Sequence, residues 1–172
     1  MNALAELLSR TGLVDFVSNQ AWVWPVCEIL HFTGMAILIG TIGVVDLRIL
    51  GVGKGLPIAV LEKFIPLGVV AFLVNAVTGF IFIAGNPVGG PIEYLTNLAF
   101  QIKMILVLIA GINVLIFYFT GVARVAGLAA PADAAPRSAQ IVAGVSLFVW
   151  FGVIVFGRLI MYNDTLLYAL GL

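Results

Sequence analysis

The chain has 172 residues, of which 63% are hydrophobic and 9% are charged, and its formal net charge is zero. Eight basic and eight acidic side chains are too few to cover a soluble domain of this size, so the composition indicates a protein solvated by lipid. The absence of net positive charge argues against nucleic acid as a partner, and the single cysteine, Cys27, excludes an intrachain disulfide and a cysteine-based zinc site.

The first 20 residues have the pattern of an amphipathic helix. Apolar side chains recur at helical spacing and polar ones fall between them; the apolar set is Leu4, Leu7, Leu8, Val14 and Val17. This pattern predicts a helix lying in the membrane interface over residues 1–20, with a break near Gly12. The alternative is a short helix packed on the end of the bundle.

Four later stretches are long and apolar enough to cross a bilayer, which takes about 20 residues of helix. They run over residues 22–45, 64–84, 98–122 and 138–161, and Gly- and Pro-containing connections separate them. The sequence therefore predicts an all-α fold: a polytopic membrane four-helix bundle that forms one domain over residues 21–172, preceded by the interfacial helix.

Loop charge predicts the direction of the bundle. The first connection contains Arg48, Lys54 and Lys63, and the third contains Arg124 and Arg137, whereas the second connection contains no Lys or Arg. Basic loops stay in the cytoplasm. We therefore expect both termini outside, which in a bacterial inner membrane means the periplasm.

Four ionisable residues lie inside the predicted spans, where such groups are costly and are candidates for function. They are Glu28, His31, Lys103 and Arg158. Two neutral residues of the spans, Asn75 and Asn113, are expected to form hydrogen bonds with neighbouring helices. The predicted direction places all four ionisable residues in the outer half of the bundle, on three different helices. Each also has a structural interpretation: the two cations can extend to the headgroups, Glu28 can be protonated or paired with a cation, and His31 can bond a neighbouring helix.

Glu28, His31 and Met35 share one face of the first span at 100° per residue, and Asp46 returns to the same stripe. Since lipid would not tolerate this stripe, we expect it to face the bundle interior.

His31 is the only histidine in the chain, and imidazole is a good ligand for iron, copper or zinc. Four-helix bundles commonly hold haem between facing helices. We therefore expect haem b with His31 as an axial metal ligand, Lys103 and Arg158 as partners of the propionates, and Glu28 as a tuning or proton-relay group.

The second axial ligand is left open by the sequence. Met104, Met161, an open position or a second protomer are the alternatives, because Met35 lies on the helix of His31. The spacing Glu28-x-x-His31 also matches that of di-iron bundles, but a di-metal site needs more carboxylates than these spans contain.

The runs that carry these residues resemble a known group of proteins. Glu28 to Gly34, Asp46 to Gly51, Phe100 to Lys103 and Gly157 to Tyr162 are similar to small four-span bacterial membrane proteins of unassigned function. More distantly, a histidine in the first span and a lysine early in the third resemble the copper-resistance-D-type proteins and the HemJ-type haem-binding bundles. This resemblance implies a haem or metal site at His31 with Lys103 as a polar partner. The chain departs from the HemJ-type pattern in having one histidine and no basic motif in its first loop.

Two functional hypotheses follow. In the first, the chain binds haem b for electron transfer, sensing or haem handling. In the second, it is a cofactor-free scaffold, a transporter or an accessory subunit of a larger complex. Under both, we expect the chain to form a homo-oligomer or join a larger complex, because four helices enclose little interior.

Overall fold

The computed structural model describes residues 2–120 and 135–171. Their helices are α1 (Asn2–Ser9), α2 (Leu13–Asn19), α3 (Val23–Ile49), α4 (Ile58–Leu61), α5 (Ile65–Ala84), α6 (Gly90–Thr96), α7 (Leu98–Phe119), α8 (Arg137–Leu159) and α9 (Asn163–Leu170). Short 3₁₀ turns join α4 to α5 and α8 to α9. All regular structure within the described ranges is helical, which confirms the predicted all-α class.

Four helical segments of the described chain are long and apolar enough to cross a membrane, as predicted. They are Val23–Ile49, Ile58–Ala84, Leu98–Phe119 and Arg137–Leu170. The first and second are longer than the predicted 22–45 and 64–84, and the fourth extends beyond residue 161. The predicted end of the third span at residues 121–122 lies outside the described residues, as does Arg124 of the third connection. The chain is therefore a multi-pass membrane protein.

The second span begins earlier than expected because it is built from two helices. A 3₁₀ turn over Glu62–Phe64 connects α4 to α5. Pro66 is the second residue of α5. It has no N–H and therefore cannot donate the hydrogen bond that would continue the helix from the preceding turn. The proline thus accounts for a new helix start inside a continuous span.

The N-terminal segment forms two helices rather than one. Gly12 separates α1 from α2 with φ at 71°, a left-handed conformation that glycine adopts without steric cost. Helix α1 packs against α6 through its buried Ala5, while Leu4 and Leu7 are exposed. The break predicted near Gly12 is confirmed, and the contact with α6 fits the alternative of a helix packed on the protein.

The chain divides into two compact units. The first unit comprises Met1–Ala36, Val70–Ile102 and Phe156–Leu172, and the second comprises Ile37–Val69 and Lys103–Val155. The division cuts across the long helices rather than falling in a connection. The predicted boundary at residue 20 stays a prediction.

In the first unit, α2 and the start of α3 pack on the end of α5. Val17, Val23 and Cys27 are buried together there, with Ile81 and Phe82 packed against them. Two asparagines join the start of α7 to the end of α8. The Asn97 side chain donates to the Ile160 carbonyl (2.9 Å), and the Leu98 amide donates to Asn163 Oδ1 (3.0 Å).

In the second unit, the end of α3 packs on α4 and α8 through small and branched side chains. Ile49, Ile58 and Ala139 are almost completely buried. Asn113 of α7 donates to the Val142 carbonyl of α8 (3.1 Å), which confirms the predicted bond between helices at Asn113. At its start α8 packs through two buried alanines, Ala139 and Ala143.

Candidate functional site

His31 lies on α3 and is hydrogen-bonded to α5. Its Nδ1 is 2.8 Å from the Thr78 hydroxyl. Thr78 is buried, whereas His31 is partly buried. A contact of this kind between spans is expected of a polar side chain within a bundle.

The surroundings of Thr78 favour one tautomer of His31. The Thr78 hydroxyl lies 2.8 Å from the carbonyl of Val74, one turn earlier in α5, and donates its single proton there. It can then only accept from His31, so Nδ1 carries a ring proton. Histidines that bind metals commonly have this arrangement, with one ring N–H held by a neighbouring group and the other nitrogen facing the metal.

One aromatic ring is in contact with His31, and a second is in contact with the first. The Phe82 ring meets His31 edge-on with centroids 5.2 Å apart, and the Trp24 ring lies 5.0 Å from Phe82. Trp24 Nε1 in turn donates to Glu28 Oε1 (3.1 Å). A continuous set of contacts therefore links Glu28 to His31 through two aromatic rings.

Glu28 is exposed, which corrects the expectation that the stripe of Glu28, His31, Met35 and Asp46 faces the interior throughout. Asp46 is buried, whereas His31 and Met35 are partly buried. Trp24, one turn from Glu28, supplies the exposed carboxylate with a hydrogen-bond donor. The carboxylate needs no interior partner in this position.

Glu28 also influences Tyr94 of α6. Burial raises the pKa of Tyr94, and the negative charges of Glu93 and Glu28 raise it further. Glu93 accepts a hydrogen bond from the Asn86 side chain (2.7 Å), which fixes the connection before α6. The residues around Glu28 thus include a phenol that keeps its proton more firmly than an exposed tyrosine.

The helices that carry His31 and Thr78 approach each other closely one turn away. A Cβ added to Gly34 would lie 2.6 Å from Asn75 Nδ2 and 3.2 Å from the Ala71 carbonyl. A larger residue at this point would require the Asn75 side chain to move and the α5 backbone at Ala71 to shift slightly. Asn75 itself donates to Ala71 of its own helix (2.9 Å), not to another helix as predicted.

Arg158 lies in the first unit at the end of α8 and is exposed. Its guanidinium carbon is 5.5 Å from the centroid of the Tyr162 ring, at the distance of a cation–π contact. No hydrogen bond or ion pair among the described residues joins it to His31 or Glu28. Arg158 is therefore free to meet an anion at the surface.

Lys103 belongs to the second unit and is partly buried on α7. Of the methionines considered as a second axial ligand, Met104 and Met161 are both exposed. The roles predicted for all three residues stay predictions.

Within the described parts of the chain, no group of three or more His, Cys, Asp or Glu side chains converges on a point that could hold a metal ion. A bare metal ion needs several protein ligands, whereas haem iron brings four nitrogens of its own and takes one or two from the protein.

Sequence reasoning missed Thr78 and Phe82. Both lie on α5, one turn apart, in a span whose composition gives no sign of a site. Thr78 and the adjacent Gly79 could have drawn attention to this part of α5, since small and hydroxyl residues mark contacts between spans.

Comparisons of the chain with models of known protein families, with curated proteins and with solved structures found no match. The resemblance to copper-resistance-D-type and HemJ-type bundles thus stays a prediction.

Proposed function

We propose that this protein binds haem b in the membrane through His31 and serves electron transfer, sensing or haem handling. The observation that carries the proposal is the hydrogen bond between His31 Nδ1 and Thr78 (2.8 Å), which holds the ring in one orientation between α3 and α5. When bound, haem would supply a redox-active iron and a strong visible absorption.

The surroundings of the ring support the same assignment. Phe82 and Trp24 provide flat apolar surfaces beside His31, and an apolar environment suits a porphyrin ring. Arg158 supplies an exposed guanidinium for a propionate in the first unit. We propose Glu28 as a group that tunes the site or carries protons at its surface.

A direct test is the absorption spectrum of protein purified from haem-replete cells. We expect a Soret band and a pyridine haemochrome typical of haem b in the wild type, both lost in His31→Ala. As a matched control, Met35→Ala changes a partly buried residue one turn further along α3 and should keep the pigment. A wild-type preparation without these absorption bands would contradict the proposal.

A second candidate function is a cofactor-free scaffold, transporter or accessory subunit. The exposure of Glu28 and Arg158 favours it, because exposed charges serve equally well as contacts with a partner subunit. In that case His31→Ala would leave the spectrum unchanged and the membrane assembly intact.

We also propose that the protein lies in a bacterial inner membrane with both termini in the periplasm and that it self-associates. The basic residues of the first connection support the direction. The small buried share of the third span, 11% of its most apolar window, supports further contacts in the membrane beyond those within the chain. Reporter fusions at either end and the mass of the protein in a mild detergent test these points.

A further inference from the structure

The second unit contains a carboxyl group that the haem hypothesis does not use. Asp46 lies near the end of α3 with 7% of its surface exposed. Its Oδ2 atom is buried and has no hydrogen-bond partner within residues 2–120 and 135–171. The Ser146 side chain of α8 lies beside the carboxyl group.

The bonding of α8 explains why Ser146 turns towards Asp46. A serine inside a helix commonly bonds the carbonyl four residues earlier, which here belongs to Val142. That carbonyl already accepts from the Asn113 side chain (3.1 Å). The Ser146 hydroxyl is thus available to the carboxyl group on the neighbouring helix.

Nearby charges do not offset a negative charge on Asp46. Arg48 lies two positions along α3, about 200° around the helix, and its Nε donates to the Leu56 carbonyl (2.5 Å). On α8, Arg137 is nine residues from Ser146, or about 13 Å along the helix, and on α7, Lys103 is about 15 Å from Asn113. Asp46 takes part in no ion pair among the described residues.

An ionised carboxylate whose buried Oδ2 has no partner among the described residues, inside a membrane span, is strongly disfavoured relative to the neutral acid. We propose that Asp46 is a proton-binding site: a carboxylic acid that carries a proton on Oδ2 in the resting protein. The proton is taken from bulk water and returned to it when a change in the second unit brings a donor or water to Oδ2. This site is independent of haem binding at His31.

A proton fits this site better than a metal cation does. Sodium needs about six oxygen ligands, by analogy with other hard cations. Around Asp46 the described residues supply the Ser146 hydroxyl and the carboxyl group itself, while the Val142 carbonyl is already engaged.

Infrared titration of the protein in lipid nanodiscs tests the proposal. A protonated aspartic acid has a C=O stretch distinct from that of a carboxylate. We expect this band at about pH 7, where an exposed aspartate is ionised. The band should be lost in Asp46→Asn and kept in the control Asp164→Asn, which changes an exposed aspartate of α9.

Ser146→Ala gives a second readout that does not need the Asp46 variant to fold. Because Ser146 lies beside the carboxyl group and can donate to its charged form, its removal should extend the band to higher pH. Absence of the band in the wild type at about pH 7, in sodium-free buffer as well as in sodium, would overturn the proposal. A band present without sodium and abolished by sodium would replace the proton with a metal cation.

Discussion

The two units differ in how the hydrogen bonds of their polar side chains are satisfied. In the first unit, His31 has a defined hydrogen bond to Thr78 and an aromatic neighbour in Phe82. In the second, Asp46 is more deeply buried and one of its oxygens has no partner among the described residues. The first arrangement holds an imidazole in one orientation, whereas the second favours the neutral form of an acid.

The difference shows that polar side chains inside a membrane span can have different roles, depending on how their hydrogen bonds are satisfied. The first unit also has a buried oxygen without a partner among the described residues, Asn75 Oδ1, but an amide cannot respond by taking a proton. An oriented imidazole is suited to bind a ligand, and a poorly satisfied carboxyl group is suited to exchange a proton. The predictions below separate these two cases.

The largest effect on stability is expected in the second unit, at Arg48. This side chain is 1% exposed, and its Nε bonds the Leu56 carbonyl of the first connection. Arg48→Met should lower the free energy of unfolding by about 2–3 kcal/mol, because a charged hydrogen bond is lost and the connection is released. Thermal unfolding in detergent measures it, with the exposed Lys54→Met as control. Equal stability of the two variants would contradict the role given to Arg48.

The next effect concerns the close approach of α3 to α5 in the first unit. Gly34→Ala should destabilise the protein by about 1–3 kcal/mol, since the added methyl would overlap Asn75 Nδ2. Gly40→Ala is the matched control, because no atom lies within 4 Å of a Cβ added there. A tolerated Gly34→Ala alongside a damaging Gly40→Ala would reverse this account of the packing.

A smaller effect is expected where the histidine meets its threonine. Thr78→Val removes the acceptor of the Nδ1 proton and should weaken haem binding by about 10–100-fold while leaving a Soret band. Thr41→Val is the control, since Thr41 bonds only carbonyls of its own helix. Titration of apoprotein with haem compares the two, and equal affinities would remove Thr78 from the site.

The smallest effect is on the titration of Tyr94. Its pKa is raised mainly by burial, so the phenol keeps its proton at pH values above the ordinary pKa of about 10. The protonated phenol contributes to folding stability, and this contribution is lost as the pH rises through the raised pKa. Glu28→Gln should lower that pKa slightly, as one of two nearby negative charges is removed. Ultraviolet absorption of tyrosinate follows the change. Asp15→Gln, on the exposed face of α2, should leave it unaltered.

The sequence predicts the spans well because apolar length is a direct consequence of bilayer thickness. It also predicts the break at Gly12 and the burial of Asp46. It does not predict that Glu28 is exposed and bonded to Trp24 one turn away. Helical periodicity gives the face of a residue but not what the neighbouring helix places opposite it.

The partners of the candidate site were outside the reach of sequence reasoning for the same reason. Thr78 is 47 positions from His31, and nothing local marks the pair. The caps at Asn97 and Asn163 likewise join segments more than 60 residues apart. Contacts of this range depend on the register between helices, which a hydropathy pattern does not determine.

One measurement tests the central claim most directly, because His31 is the single histidine of the chain. Protein grown on ¹⁵N-histidine carries the label in that one side chain, and pulsed electron paramagnetic resonance of the ferric state detects nitrogen bound to iron. We predict a ¹⁵N coupling from one imidazole nitrogen in haem-loaded protein. Haem-loaded protein without any ¹⁵N coupling would contradict ligation by His31.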